Sequence, residues 1–146
     1  MTRLTITQQI DAMKSAWSIF KVKKVNRTAL SVKWVGTVKP HLVAYTLDIR
    51  LTRGDPEVRI ISPELVRLPD NPEGRLPHIY GPIEDPTLCL YDPAKDEWDP
   101  SMAVADTIVP WSLDWIACYE FWLMNGRWEG GGRHPVAQTI DAQGAF

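Results

Sequence analysis

No stretch of this chain approaches the roughly 18 consecutive apolar residues that a membrane-spanning helix needs, so the sequence predicts no transmembrane segment. The opening residues MTRLTITQQIDAMK contain no uninterrupted apolar core of the signal-peptide kind, and the expectation is a cytoplasmic protein. A charge excess is also missing. Sixteen Lys and Arg against 18 Asp and Glu leave a net charge of −2, with a pI near 5.9, which argues against nucleic acid as a partner. Cysteine is scarce: Cys89 and Cys118 show no metal-ligand spacing, and a reducing compartment keeps both as thiols, so neither a metal nor a disulfide is expected. Neither a GxGxxG nor a P-loop pattern occurs, so the chain has no nucleotide-activating motif and no cofactor is expected. Internal repeats and low-complexity blocks are absent as well.

What the chain does have is apolar content and tryptophan. At 146 residues and 45% apolar, it is long enough to bury most of the surface exposed by its unfolded form. This predicts one domain over residues 1–146, with a core at 1–126 and a glycine-rich C-terminal tail at 127–146. Of the seven tryptophans, four fall between Trp111 and Trp128, where large rings most simply serve as core packing.

The patterning predicts an α+β fold. Thr5 with Gln8 forms a capping-box pair, and Ile6, Ile10, Met13 and Trp17 share one helical face. The period then falls toward two. FKVKKV and ALSVKWVG, separated by Asn26-Arg27, read as a hairpin in which Leu30, Val32 and Trp34 share a face. In HLVAYTLDIRL, Val43, Tyr45, Leu47, Ile49 and Leu51 alternate with Ala44, Thr46, Asp48 and Arg50, and after the Gly54-Asp55-Pro56 turn EVRIIS supplies a fourth strand that Pro63 ends. An N-terminal helix and a four-stranded antiparallel meander result. Beyond Pro63, seven of the 12 prolines fall between Pro69 and Pro100, which predicts a long ordered loop. Ser112 is the expected cap of an apolar C-terminal helix through LDWIACYEFWLM, packed against the sheet and stopped at Asn125-Gly126, with a loosely held tail after it.

Chemistry concentrates between Pro77 and Trp128. Cys89 stands between two leucines, which by itself describes a small buried hydrophobe. Its neighbourhood argues for more: it follows the proline-rich loop and precedes the turn residues Tyr91-Asp92-Pro93, at an edge where a sulfur reaches solvent. Cys118, inside WIACYEFW, has no such exit. An exposed thiol with a pKa of about 8.5 is only a few per cent ionised at neutral pH yet strongly nucleophilic, which suits exchange between thioesters. His78, 11 positions upstream, serves either to orient the loop through the backbone or as a base. Tyr80 offers a hydroxyl to an oxyanion or packs in the loop. Asp92, Asp96, Glu97 and Asp99 form an acidic patch that is either a solvated loop or a place to position and deprotonate an attacking lysine amine, with Asp92 and Asp96 the candidates for that task.

The order of elements, with PEVRI, PHIYG, LCLYDP and the Trp98-bearing EWDPSM in sequence over most of residues 4–125, resembles the ubiquitin-conjugating enzyme (UBC) fold. The family's histidine-proline-asparagine motif stands here as His78-Ile79-Tyr80, so its asparagine is missing. The ending VPWSLDWIACYEFWLMNGRWEGGGRHP is similar to bacterial members of this fold from type II CBASS antiviral operons. The resemblance implies a long catalytic loop bearing Cys89, with His78, Tyr80, Asp92, Asp96 and Trp98 as supporting residues. It implies a conjugating enzyme that holds the C-terminal carboxyl of a CD-NTase as a thioester and passes it to a lysine on an acceptor protein. Its partners would then include a separate ubiquitin-activating-like enzyme or an already activated donor. Two alternatives stand beside it: a catalytically silent binding module, and a small cysteine hydrolase pairing Cys89 with His78 or His134.

Overall fold

Thr5 starts the first helix because its hydroxyl accepts from the Gln8 amide at 3.0 Å while the Gln8 side chain accepts from the Thr5 amide at 2.8 Å, closing the predicted capping box. In the computed structural model, which describes residues 2–129, helix α1 spans Ile6–Ala16. Thr5→Ala should cost about 1 kcal/mol of stability, read as a lower urea midpoint at unchanged m-value.

The described chain divides into two compact units. The first comprises the residues up to Glu64 with Trp98–Pro110. In it β1 (Lys21–Asn26), β2 (Ser31–Val38), β3 (Tyr45–Thr52) and β4 (Asp55–Ser62) form an antiparallel meander in sequence order. Register sets Trp34 opposite Ile49 and Ile49 opposite Val58, and all three are buried with Val32, Leu47 and Leu51 on the same face. The helix followed by a meander is the predicted UBC-like layout.

Details differ from the sequence expectation. Val43 lies before β3 and is exposed, whereas Asp48, assigned to the polar face, is buried. Its carboxylate is satisfied by Arg50 Nε at 3.0 Å and Nη2 at 3.2 Å, with Lys33 Nζ at 3.6 Å. Gln9 replaces the expected Ile10 in the buried stripe of α1, because its amide donates to the Met102 carbonyl and its oxygen accepts from the Val104 amide, both at 2.9 Å. A buried polar side chain is tolerated when each atom has a partner. Gly36 is required by close approach, since a Cβ there would lie 2.7 Å from the Phe20 ring.

The second unit comprises Leu65–Glu97 and the chain from Trp111 onward. The proline-rich segment has little regular structure beyond a two-residue pairing of β5 (Ile79–Tyr80) with β6 (Thr87–Leu88) and a 3-10 turn at Pro93–Lys95. Side chains order its backbone instead. Arg67 donates to the carbonyls of Leu65 and Ile83, and the Val66 amide donates to the Tyr119 hydroxyl at 2.8 Å.

Helix α2 spans Ile108–Asn125 and so begins four residues before Ser112, which is fully buried inside it rather than capping it. Pro110 sits at the third helical position, where the missing N–H would have no partner within the helix, so it does not obstruct the first turn. Gly126, at φ 73°, ends the helix as predicted. Trp115, Ile116, Tyr119 and Trp122 are buried, whereas Phe121 and Met124 are exposed, so the helix is not enclosed on every side. The chain just past it is held more firmly than its glycine content predicts. Trp128 is buried, its amide donates to Glu73 Oε1 at 2.7 Å, and Asn71 Nδ2 donates to the Gly126 carbonyl at 2.6 Å. The rest of the expected tail, and His134 with it, lie outside the described residues. Among those described, no helix is long and apolar enough to cross a membrane.

Candidate functional site

The β5–β6 pairing sets Ile79 opposite Leu88 and Tyr80 opposite Thr87, so Cys89 leaves β6 directly beside the histidine-led motif. His78 adopts the left-handed conformation, φ 57°. Its carbonyl accepts from the Cys89 amide at 3.0 Å and from Trp115 Nε1 at 2.8 Å. Its ring lies 4.9 Å from that of Trp128. The hydrogen bonds run through the His78 main-chain carbonyl, and its ring packs near that of Trp128.

Cys89 is 3% exposed, between Leu88 and Leu90, which are equally enclosed. This corrects the expectation of a solvent-reaching sulfur titrating near 8. Burial is the main cause pushing the thiol up to about 11, and the carboxylates of Asp92 and Glu97 raise it further. Opposing them is a hydrogen bond with the Tyr80 hydroxyl, which lowers it. The same hydroxyl donates to the Tyr91 carbonyl at 3.2 Å. A hydroxyl has one proton to give, so against the neutral thiol it accepts from S–H, and against the thiolate it donates to sulfur. Burial, the bond with Cys89 and the charges of Cys89, Asp92 and Tyr91 hold the Tyr80 phenol well above its ordinary pKa, and it stays protonated at physiological pH.

The acidic patch separates into distinct roles. The Asp92 carboxylate accepts from the Ala94 amide at 3.0 Å and starts the 3-10 turn, while Glu97 Oε1 accepts from the Asp92 amide at 2.8 Å. The negative charges of these two disfavour ionisation of the Cys89 thiol. Asp96 is exposed in a left-handed conformation at the end of that turn, and Asp99 accepts from the Ser101 amide at 2.8 Å and from the Ser101 hydroxyl. Trp98 belongs to the first unit, where its indole donates to Thr107 Oγ1 at 2.8 Å. The structure thus gathers Cys89, Tyr80, Asp92 and the backbone of His78, adds Glu97, leaves Asp96 exposed at the end of the turn, and bonds Trp98 to Thr107.

Trp115 is the residue that sequence reasoning missed. It stands 26 positions beyond Cys89, and only its place at the centre of the tryptophan-rich helix marked it as more than bulk.

At pH 7 a thiol with a pKa near 11 is ionised about 300-fold less than one at 8.5, and its greater basicity returns about tenfold in nucleophilicity. Alkylation of Cys89 by iodoacetamide should therefore run about 30-fold slower than that of free cysteine at pH 7. Its pH–rate profile should turn near 11, and a midpoint near 8 would show a solvated thiol.

The profile of a protein family described as Type II CBASS E2 protein matches residues 9–135. No curated protein matches the chain.

Proposed function

The chain belongs to the type II CBASS E2 family, and from that premise we propose that Cys89 carries the C-terminal carboxyl group of a protein, the CD-NTase of its operon, as a thioester and delivers it to a lysine amine. The observation that carries this reading is the polar setting of one sulfur within an apolar wall. The Cys89 sulfur is hydrogen-bonded to the Tyr80 phenol and feels the charges of Asp92 and Glu97, whereas the Cys118 sulfur lies 3.6 Å from the Glu129 carbonyl.

In the loading step the Cys89 sulfur attacks an activated acyl carbon. A C–S bond forms, the activating group leaves with its electron pair, and the thiol proton passes to solvent. The donor is an acyl adenylate from a separate activating protein, or another activated acyl group. In the transfer step the lysine nitrogen attacks the thioester carbonyl. The C–N bond forms, the C–S bond breaks, and sulfur recovers a proton that the amine releases.

Burial suits the interval between the two steps. A thioester is neutral, so an acylated sulfur escapes the desolvation penalty that a thiolate would incur there. A thiol of high pKa is a poor leaving group, which lengthens the life of the carried acyl group. Asp92 and Glu97 place negative charge where a cationic amine must approach and give up its proton.

A loading assay tests this function. The protein is mixed with the CD-NTase, its operon partners and ATP, and then resolved on a non-reducing gel. The expected result is an adduct that thiol reductant removes, and absence of any adduct refutes the assignment. The burial of Cys89 favours one competing reading, a silent binding module, for which no adduct forms. A cysteine hydrolase needs a lowered thiol pKa, and here it is raised.

A further inference from the structure

We propose that Tyr80 is a positioning residue and a gate for the Cys89 sulfur: its ring covers the thiol in the resting state, its hydroxyl holds the sulfur in place, and its outward swing admits the acyl donor. The proposal rests on the carrier reading for its purpose, though not for its test.

The geometry is that of a cover rather than a wall. Cys89 is 3% exposed while Tyr80, hydrogen-bonded to its sulfur, is 41% exposed, so Tyr80 is the solvent-facing member of the pair. Leu88 and Leu90, on either side in sequence, are buried. Displacing either would open apolar core, whereas Tyr80 would exchange its contacts for water.

Little holds Tyr80 down. Its hydroxyl makes one 3.2 Å bond to the Tyr91 carbonyl besides the one to sulfur. Its strand has two residues, and Tyr80 is the last of them. Gly81 follows at φ 79°, and even an added Cβ there would find only the Asp85 carbonyl, 3.8 Å away. The backbone next to the ring therefore has room to turn, and the hydrogen bonds lost are ones that water replaces at small net cost. The hydroxyl follows the charge on sulfur, accepting from the thiol and donating to the thiolate, so the same side chain that hides the sulfur also steadies it when it ionises.

The two functions of the side chain separate in opposite-signed variants. Tyr80→Ala removes the cover, and burial is the largest influence on Cys89, so its alkylation by iodoacetamide at pH 8 should rise at least tenfold with the pH–rate midpoint moving down toward 8.5. Tyr80→Phe keeps the cover but removes the donor, so the midpoint should move above 11 and the rate at pH 9 should fall several-fold. Rates are read separately for Cys89 and Cys118 by peptide mapping. An Ala variant within twofold of the parent, a Phe variant faster than the parent, or a gain shared equally by Cys118 would each overturn the proposal. The carrier reading is scored apart, by loading with a peptide thioester as donor. Faster alkylation with no acyl group ever found on Cys89 keeps the gate and removes its proposed purpose, whereas loading on Cys89 with unchanged alkylation removes the gate alone.

Discussion

Cys89→Ala is expected to abolish the thiol-sensitive adduct, leaving no residual band when donor, operon partners and ATP are supplied. The expectation is absolute because a thioester requires sulfur, and Cys118 lies elsewhere, on α2 with its sulfur 3.6 Å from the Glu129 carbonyl, whereas the Cys89 sulfur bonds the Tyr80 hydroxyl. A change in folding would not explain the loss. Alanine removes only a small buried group, at a cost of about 1 kcal/mol, and the Cys89 amide still donates to the His78 carbonyl because that bond involves the backbone alone. The unfolding midpoint should therefore move by only a few degrees. An adduct that persists in this variant places the acyl group elsewhere and ends the assignment, whereas a variant that loses the adduct and keeps its fold isolates the sulfur as the carrier.

Periodicity predicted most directly the elements whose side chains face water on one side and core on the other, whereas β1, also predicted, is exposed throughout. α1 and β3 are of the first kind, with Ile6 and Met13 on one buried stripe and Leu47, Ile49 and Leu51 on another. Gln9 and Asp48 broke the pattern because partners remote in sequence or along the strand satisfy them, and periodicity registers polarity without registering satisfaction. The helix starts four residues ahead of the expected Ser112 cap, and Pro110 is harmless there because it falls in the first turn.

Of the residues marked for the site, Cys89, His78, Tyr80 and Asp92 lie together, whereas Asp96 is exposed and Trp98 bonds Thr107. The resemblance did not indicate the depth of the sulfur. Leu-Cys-Leu before a turn fits an exposed rim and a buried strand end equally well. The enclosure of the sulfur and its hydrogen bond with Tyr80, nine positions upstream, are tertiary features that no local pattern encodes.

Trp115→Ala should destabilise the protein by about 3–5 kcal/mol, a large share of the 5–15 kcal/mol typical of a folded domain. The ring is fully buried, 5.4 Å from Tyr119 and stacked at 13°, and 5.2 Å from Trp128. Its indole N–H donates to the carbonyl of His78, the residue whose left-handed turn aligns the histidine-led motif with the chain at Cys89. Two losses therefore combine in the alanine variant, a large cavity and an anchor. Trp115→Phe separates them. It keeps most of the apolar area but removes the donor, while the His78 carbonyl retains its bond from the Cys89 amide, so the cost should fall to about 1–2 kcal/mol. Urea titration of both variants measures the energies, and the alkylation rate of Cys89 in the still-folded Phe variant shows whether the anchor also governs access to the sulfur. A rate severalfold above the parent would mean that the wall behind His78 keeps the site closed. An alanine variant losing less than about 1 kcal/mol would mean that the aromatic cluster is not the support on which the site is built.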